Sequence, residues 1–217
     1  DIALPHVPGH ELAGTIAQIG NQVKNFKIGD RVTVPFVNGC GNCDWCLSGN
    51  AQVCPTQTQP GFTQFGSFAE YVEIKNADFN LIHLPNAISF EVAAALGCRF
   101  ATAFRGLTAR GGIKANDLVA IFGCGGVGLS AVMIAKAFDA KVIAIDINDV
   151  ALQNAKAAGA DYQLKSDEAI TEIQKLGGAH IAVDALGSQK TAELAVKSLR
   201  RMGKHIQLGL LLTEDGL

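Results

Sequence analysis

The sequence lacks any apolar run approaching the roughly 18 residues that a membrane-spanning helix needs. It also lacks an excess of either charge: 18 basic against 20 acidic residues leave a net charge of −2. That balance gives no electrostatic footprint for nucleic acid or an anionic membrane surface. Residues 1–9 do not show the basic and apolar pattern of a secretion signal. Low-complexity tracts, long charge runs and internal repeats are missing too. With 48% apolar and 18% charged residues, the 217-residue chain reads as a soluble globular protein of one large or two ordinary domains. The first residue is Asp1 rather than methionine, and Leu217 follows closely on an apolar run, so the chain is expected to be part of a longer protein.

The six cysteines are unevenly placed. Cys40, Cys43, Cys46 and Cys54 fall within fifteen residues, while Cys98 and Cys124 stand apart. Glycines at 39, 41 and 49 let the backbone wrap around a small centre. Four thiolates at this spacing suit a closed tetrahedral zinc site, which has no open position for substrate and is therefore structural. Disulfides between cysteines three apart are strained and disfavoured in the reducing cytoplasm expected here. An iron–sulfur centre uses similar ligands and stays open as an alternative. Only Trp45 and scattered lysines accompany the cysteines, which argues against a nucleic-acid-binding knuckle.

The first hundred residues read as β-rich, with short strands expected over 11–19, 31–37 and 68–74. From Ser89 the period becomes helical through Val92, Ala93, Leu96, Ala101, Phe104 and Leu107. Beyond Ile113, strands at 118–122, 141–145, 161–164, 180–185 and 204–208 alternate with helices at 127–138, 150–158, 168–176 and 190–201. Continuous apolar strands alternating with amphipathic helices imply a parallel sheet covered on both faces. The boundary is placed near residue 103, giving domains 1–103 and 104–217.

Gly123-Cys124-Gly125-Gly126-Val127-Gly128 follows the strand 118–122 and opens a helix, the context in which this glycine spacing binds a dinucleotide. Gly123 permits the turn, Gly125 the approach of a pyrophosphate and Gly128 close packing of helix on strand. The next strand ends at Asp146, about twenty residues on, where a carboxylate would accept ribose hydroxyls and repel a 2′-phosphate. No arginine follows, which favours NAD over NADP. Asp146 could instead cap the helix that begins near Val150. Cys124 reads as packing.

Near the start, Gly9-His10-Glu11 is followed by Gly14, Gly20 and Val23. Neighbours on a strand face opposite ways, so if His10 and Glu11 share a site the chain must bend, or one stands behind the other. A histidine there could equally be structural. The pattern resembles the zinc signature of the medium-chain alcohol dehydrogenases, as does the separation of the cysteine knuckle from His10. Gly97-Cys98-Arg99-Phe100-Ala101-Thr102 resembles the family segment that carries a cysteine to the catalytic zinc.

The resemblance implies an α/β fold: a GroES-like β-rich catalytic domain, partial at its N-terminus, then a partial Rossmann doubly wound sheet. It implies that His10 and Cys98 ligate the catalytic zinc and that Glu11 orients the site or exchanges onto the metal. Thr102 and Val127 would press on the nicotinamide, and Phe36 would narrow the substrate pocket, unless it is simply core. A further cysteine ligand and the proton relay would lie before Asp1, and a sixth strand after Leu217. The implied activity is reversible hydride transfer from a small primary or secondary alcohol to NAD in a cytoplasmic homo-oligomer, dimer or tetramer. A polyol or amino-alcohol dehydrogenase is the near alternative; a non-catalytic zinc- and NAD-binding fragment is the distant one.

Overall fold

The computed structural model describes residues 2–211. Two compact units divide the chain, one ending at Ala101 and the other starting at Thr102.

In the first unit, strands β1 (Ala13–Thr15), β2 (Arg31–Thr33) and β3 (Ile82–His83) form an antiparallel sheet in that order. Ile16, Phe26 and Val32 make a small core beside it. Two short helices, α1 (Asp44–Leu47) and α2 (Ala77–Asn80), lie between β2 and β3. Helix α3 (Phe90–Ala95) is capped by the Ser89 hydroxyl, which accepts from the Val92 N–H, and widens into a π-helical turn over Leu96–Phe100.

One expected strand is corrected. Residues 68–74 adopt no strand, and Phe68 and Tyr71 stand exposed at 76% and 71%. Alternating apolar residues describe a strand only if a neighbouring edge accepts the ladder hydrogen bonds. Here the Phe68 N–H donates to the Pro8 carbonyl, and the Glu73 carbonyl accepts from the Gln64 side chain. Those bonds tie the segment to loops.

Helix α4 (Ala101–Arg105) carries the chain across the boundary into the second unit, followed by a second π-helical stretch, Gly106–Gly111. Then β4 (Leu118–Phe122), α5 (Gly126–Ala137), β5 (Lys141–Ile145), α6 (Asp149–Ala157), β6 (Tyr162–Leu164), α7 (Ser166–Lys175), β7 (Ala179–Asp184), α8 (Gln189–Lys197) and β8 (Leu199–Gln207) alternate. All five strands are parallel, in the order β6-β5-β4-β7-β8. The strand order reverses beside β4, so the crevice at its carboxyl end is the switch point where such sheets bind ligands.

Both faces of the sheet are covered. Leu118, Ala120 and Phe122 join Ile143, Ile145, Ala169 of α7 and Ala195 of α8 in one cluster. Val119 and Ile121, which point the other way, are also fully buried. Helix α8 ends at Lys197 rather than near 201. The Ser198 hydroxyl turns back to the Ala195 carbonyl, and the Ser198 carbonyl accepts from Ala179, drawing the chain into β8.

Candidate metal and cofactor sites

The cysteine knuckle is closed at its base by Asn38 and Thr58, whose backbones exchange two hydrogen bonds of 2.8 Å. Buried Asn80, on α2, accepts from the Gly39 N–H and donates to the Gly39 carbonyl, both at 2.9 Å. Sequence reasoning missed this anchor, because nothing in the motif points 41 residues ahead. Inside the loop, the sulfurs of Cys40, Cys43, Cys46 and Cys54 all lie within 4.8 Å of one another. Cys40 Sγ is 3.9 Å from Cys46 Sγ, and Cys43 Sγ 3.8 Å from Cys54 Sγ.

These separations match a tetrahedron with metal–sulfur bonds of about 2.3 Å, whose edge is about 3.8 Å. A disulfide would need about 2.05 Å, and all four cysteines are free. An iron–sulfur cluster of several irons would spread its cysteines more widely. The donor set therefore fits one metal ion. The Asn42 N–H facing the Cys40 sulfur, against an opposing effect of burial, lowers that thiol to about 6.

The second station is assembled from distant segments of the first unit. Gly66, Ser67 and Phe68 donate their N–H groups to the carbonyls of Val7, Gly9 and Pro8, pinning the approach to His10. The fit is tight: a Cβ on Gly66 would lie 2.2 Å from the Gly9 carbonyl oxygen, and one on Gly61 2.5 Å from it. His10 then packs edge-on against Phe36 at 4.8 Å and stacks on Phe62 at 5.6 Å between ring centroids. The Phe36 N–H donates to the Gly97 carbonyl at 3.0 Å, tying the segment that carries Cys98 to that of Phe36. Gly97 is required there, since its Cβ would lie 2.5 Å from the Val34 carbonyl oxygen. Cys98 sits in the π-helical turn, a distortion frequent at functional sites. Burial, and then the negative charge of Glu11, push its thiol up, against the pull of Arg99.

His10 Nδ1 is buried without a hydrogen-bond partner. A buried imidazole nitrogen left unpaired is costly, and a metal ion or a partner accepting its proton would satisfy the ring. The half-buried Cys98 thiol, on the segment that accepts from the Phe36 N–H, is a soft donor. Glu11 is engaged by Arg99. Both of its oxygens accept from Arg99, Nε to Oε1 and Nη2 to Oε2, each at 2.7 Å. Among the described residues the cysteine knuckle is the one group with three or more metal donors brought together. His10, Glu11 and Cys98 do not make a second.

In the other unit the glycine loop leaves β4 as expected. The Gly123 N–H donates to Ile145 at 2.8 Å, and Gly123 takes φ +91°. A Cβ on Gly128 would fall 1.8 Å from the Gly123 carbonyl oxygen, so helix and turn are in direct backbone contact. A Cβ on Gly125 would meet nothing within 4 Å. Gly125 and Gly126 are exposed, no side chain caps α5, and its first N–H groups are left for an anion. Val127 is half-buried in the same turn, and Thr102 is exposed at the start of α4.

Asp146 accepts from the Cys124 N–H at 2.7 Å and from the Asn148 N–H at 2.9 Å, one on each oxygen. It does not cap α6: the Asn148 side chain does, accepting from Val150 and Ala151. Each Asp146 oxygen keeps a free lone pair for a ligand hydroxyl. Cys124 is buried, and burial followed by Asp146 raises its thiol to about 12. Another carboxylate escaped notice in the sequence. Asp184, fully buried at the end of β7, accepts from Leu186, Gly187, Thr191 and Gln207 and fixes the loop beside the switch point.

Residues 1–86 match the alcohol dehydrogenase GroES-like domain, and residues 126–216 the zinc-binding dehydrogenase domain. The D-arabinose dehydrogenase of Sulfolobus solfataricus superposes with a TM-score of 0.89 at 31% identity, covering 97% of this chain and 67% of that one. The chain belongs to the zinc-dependent alcohol dehydrogenase family. An alcohol dehydrogenase of Geobacillus stearothermophilus is 40% identical over 95% of this chain and 62% of its own length. An NAD-dependent alcohol dehydrogenase of Sulfurisphaera tokodaii is 33% identical over 96% and 61%. The chain thus spans about three fifths of the length of these two family members. Membership accounts for the two folds observed, a GroES-like antiparallel unit and a Rossmann-like parallel one. No described helix is long and apolar enough to cross a membrane.

Proposed function

We propose that this chain serves an NAD-dependent alcohol dehydrogenase that interconverts small primary or secondary alcohols with aldehydes or ketones. The observation that carries the reading is Asp146, held by two backbone N–H groups at the mouth of an open glycine loop. When bound, NAD supplies the hydride acceptor, and zinc a Lewis acid that favours the alkoxide of an alcohol at neutral pH. The chain's own residues bind and orient. Gly125 and Gly126 offer backbone N–H groups to the pyrophosphate, and Asp146 takes the ribose hydroxyls. Thr102 and Val127 support the nicotinamide. His10 and Cys98 donate to the catalytic metal, with Phe36 narrowing the alcohol's space. Cys40, Cys43, Cys46 and Cys54 hold the structural zinc.

Replacing Asp146 by alanine should weaken NAD binding roughly ten- to hundredfold, the equivalent of charge-assisted hydrogen bonds worth about 1.5–3 kcal/mol. Asp146→Asn, which keeps one acceptor oxygen but loses the charge and one of the two loop contacts, should narrow the preference for NAD over NADP. Fluorescence titration with both reduced cofactors reads this out, and an unchanged ratio would count against the ribose role.

A sugar or polyol substrate is the second reading, supported by the resemblance to the D-arabinose dehydrogenase. Turnover of ethanol and benzyl alcohol against sorbitol and threonine separates the two, and inactivity on the simple alcohols would sink the first. A binding fragment without turnover is the third, since the described residues gather one metal-donor group, the four cysteines. Two zinc ions per chain by elemental analysis would speak against it. The working protein would be a cytoplasmic homo-oligomer.

A further inference from the structure

We propose that Lys165 is a specificity-determining residue for the cofactor, a cation at the ribose site that lets NADP bind alongside the preferred NAD. The inference rests on the reading of Asp146 as the ribose carboxylate.

The placement follows from sheet register. Strands β5 and β6 are parallel neighbours, and Ile145 pairs with Leu164 at their carboxyl ends. Asp146 and Lys165 are the next residue on each strand, and the Asp146 N–H still donates to the Leu164 carbonyl at 3.3 Å. Neighbouring strands lie about 4.8 Å apart, so the two residues leave the sheet side by side. They do so at the edge where such folds bind their ligands. The Lys165 ammonium then reaches back over the turn that follows Asp146. It donates to the Ile147 carbonyl at 2.9 Å and pairs with the Asp149 carboxylate. An ammonium has three N–H donors, and these contacts use two.

The pairing with Asp149 is loose. The Asp149 side chain is 79% exposed and that of Lys165 43%, and ion pairs so open to solvent add little stability. A 2′-phosphate carries nearly two negative charges and three acceptor oxygens, against the single charge of Asp149. The ammonium therefore exchanges Asp149 for the phosphate at small cost. Asp146 opposes with one charge of its own, so NAD stays preferred while NADP is not shut out. No arginine follows Asp146 on its own strand. Lys165, arriving from the next strand, supplies the cation instead.

The test titrates the full chain with NADH and NADPH, followed by nicotinamide fluorescence. The unaltered chain should bind both, NADH more tightly. Lys165→Met should weaken NADPH about tenfold and leave NADH within about twofold, whereas a structural role alone would weaken both alike. Lys165→Arg should keep the affinity for NADPH. Asp149→Asn, which frees the ammonium, should tighten NADPH about threefold, and only while Lys165 is present. Tightening of equal size in the Lys165→Met background would assign the effect to the lost acid and overturn the proposal. An unchanged ratio of the two affinities in Lys165→Met, or no binding of NADPH by the unaltered chain, would overturn it too. Should Lys165→Met fail to fold by circular dichroism, Lys165→Gln decides on the same criteria. Asp146→Ala separates the two readings. If it leaves NADH binding unchanged, the ribose reading fails and the lysine's role with it. If it weakens NADH while Lys165→Met changes nothing, the role of the lysine alone is refuted.

Discussion

Gly128→Ala is expected to destabilise the second unit by on the order of 3 kcal/mol or more and to abolish NAD binding. The added methyl would lie 1.8 Å from the Gly123 carbonyl oxygen, far inside any contact distance. Neither side can move cheaply. Gly123 is tied by its N–H to Ile145, and the next residue, Cys124, is tied to Asp146. The strain must push α5 off β4, and with it the N–H groups that would face the pyrophosphate. A thermal melt should show the loss, on the order of 10 °C for a domain of this size. Gly125→Ala provides the contrast. Its methyl meets no protein atom, so the fold should survive while NAD affinity falls tenfold or more. Equal damage to stability from both changes would contradict the division of labour assigned to the two glycines.

Cys54→Ser is expected to empty the knuckle of zinc and unfold the loop from Asn38 to Thr58. The Cys54 thiol is almost wholly buried and meets both the Cys43 sulfur and the Cys40 N–H. The loop has little apolar core: Trp45, Leu47 and Val53 all face solvent. Its order therefore depends on the metal, whose binding in small thiolate sites contributes about 10 kcal/mol or more to folding. Elemental analysis should find one zinc fewer per chain, and limited proteolysis should cut within the loop. Retention of the zinc and resistance to protease would show that Asn80 and the Asn38–Thr58 pair suffice.

Local pattern made much of this legible from the residues alone. Apart from the exposed Lys141 at one end, the strands at 118–122 and 141–145 are apolar because both faces of a parallel sheet are covered, and they lie where expected. The cysteine spacing encodes a loop small enough to close on one ion. Asp146 is readable because it lies a fixed distance beyond the glycine loop. The failures share a cause. The clamp of Arg99 on Glu11, the stacking of Phe62 on His10 and the hold of Asn80 on Gly39 join residues far apart in sequence. No period or motif announces such pairs. The mistaken strand at 68–74 is the same failure reversed, since its alternation is real but the neighbouring edge is missing.

The crossing of Gly9, Gly61 and Gly66 has a consequence for how this protein can change over generations. At each position a side chain would strike a neighbour within 2.6 Å, and for Gly61 and Gly66 that neighbour is main chain. Main chain cannot be substituted away. A saturation library selected for function should therefore return glycine at both, with no second-site suppressor. Gly9 itself takes φ +103° and is barred on that ground as well. The segment leading to His10 is an evolutionary fixed point.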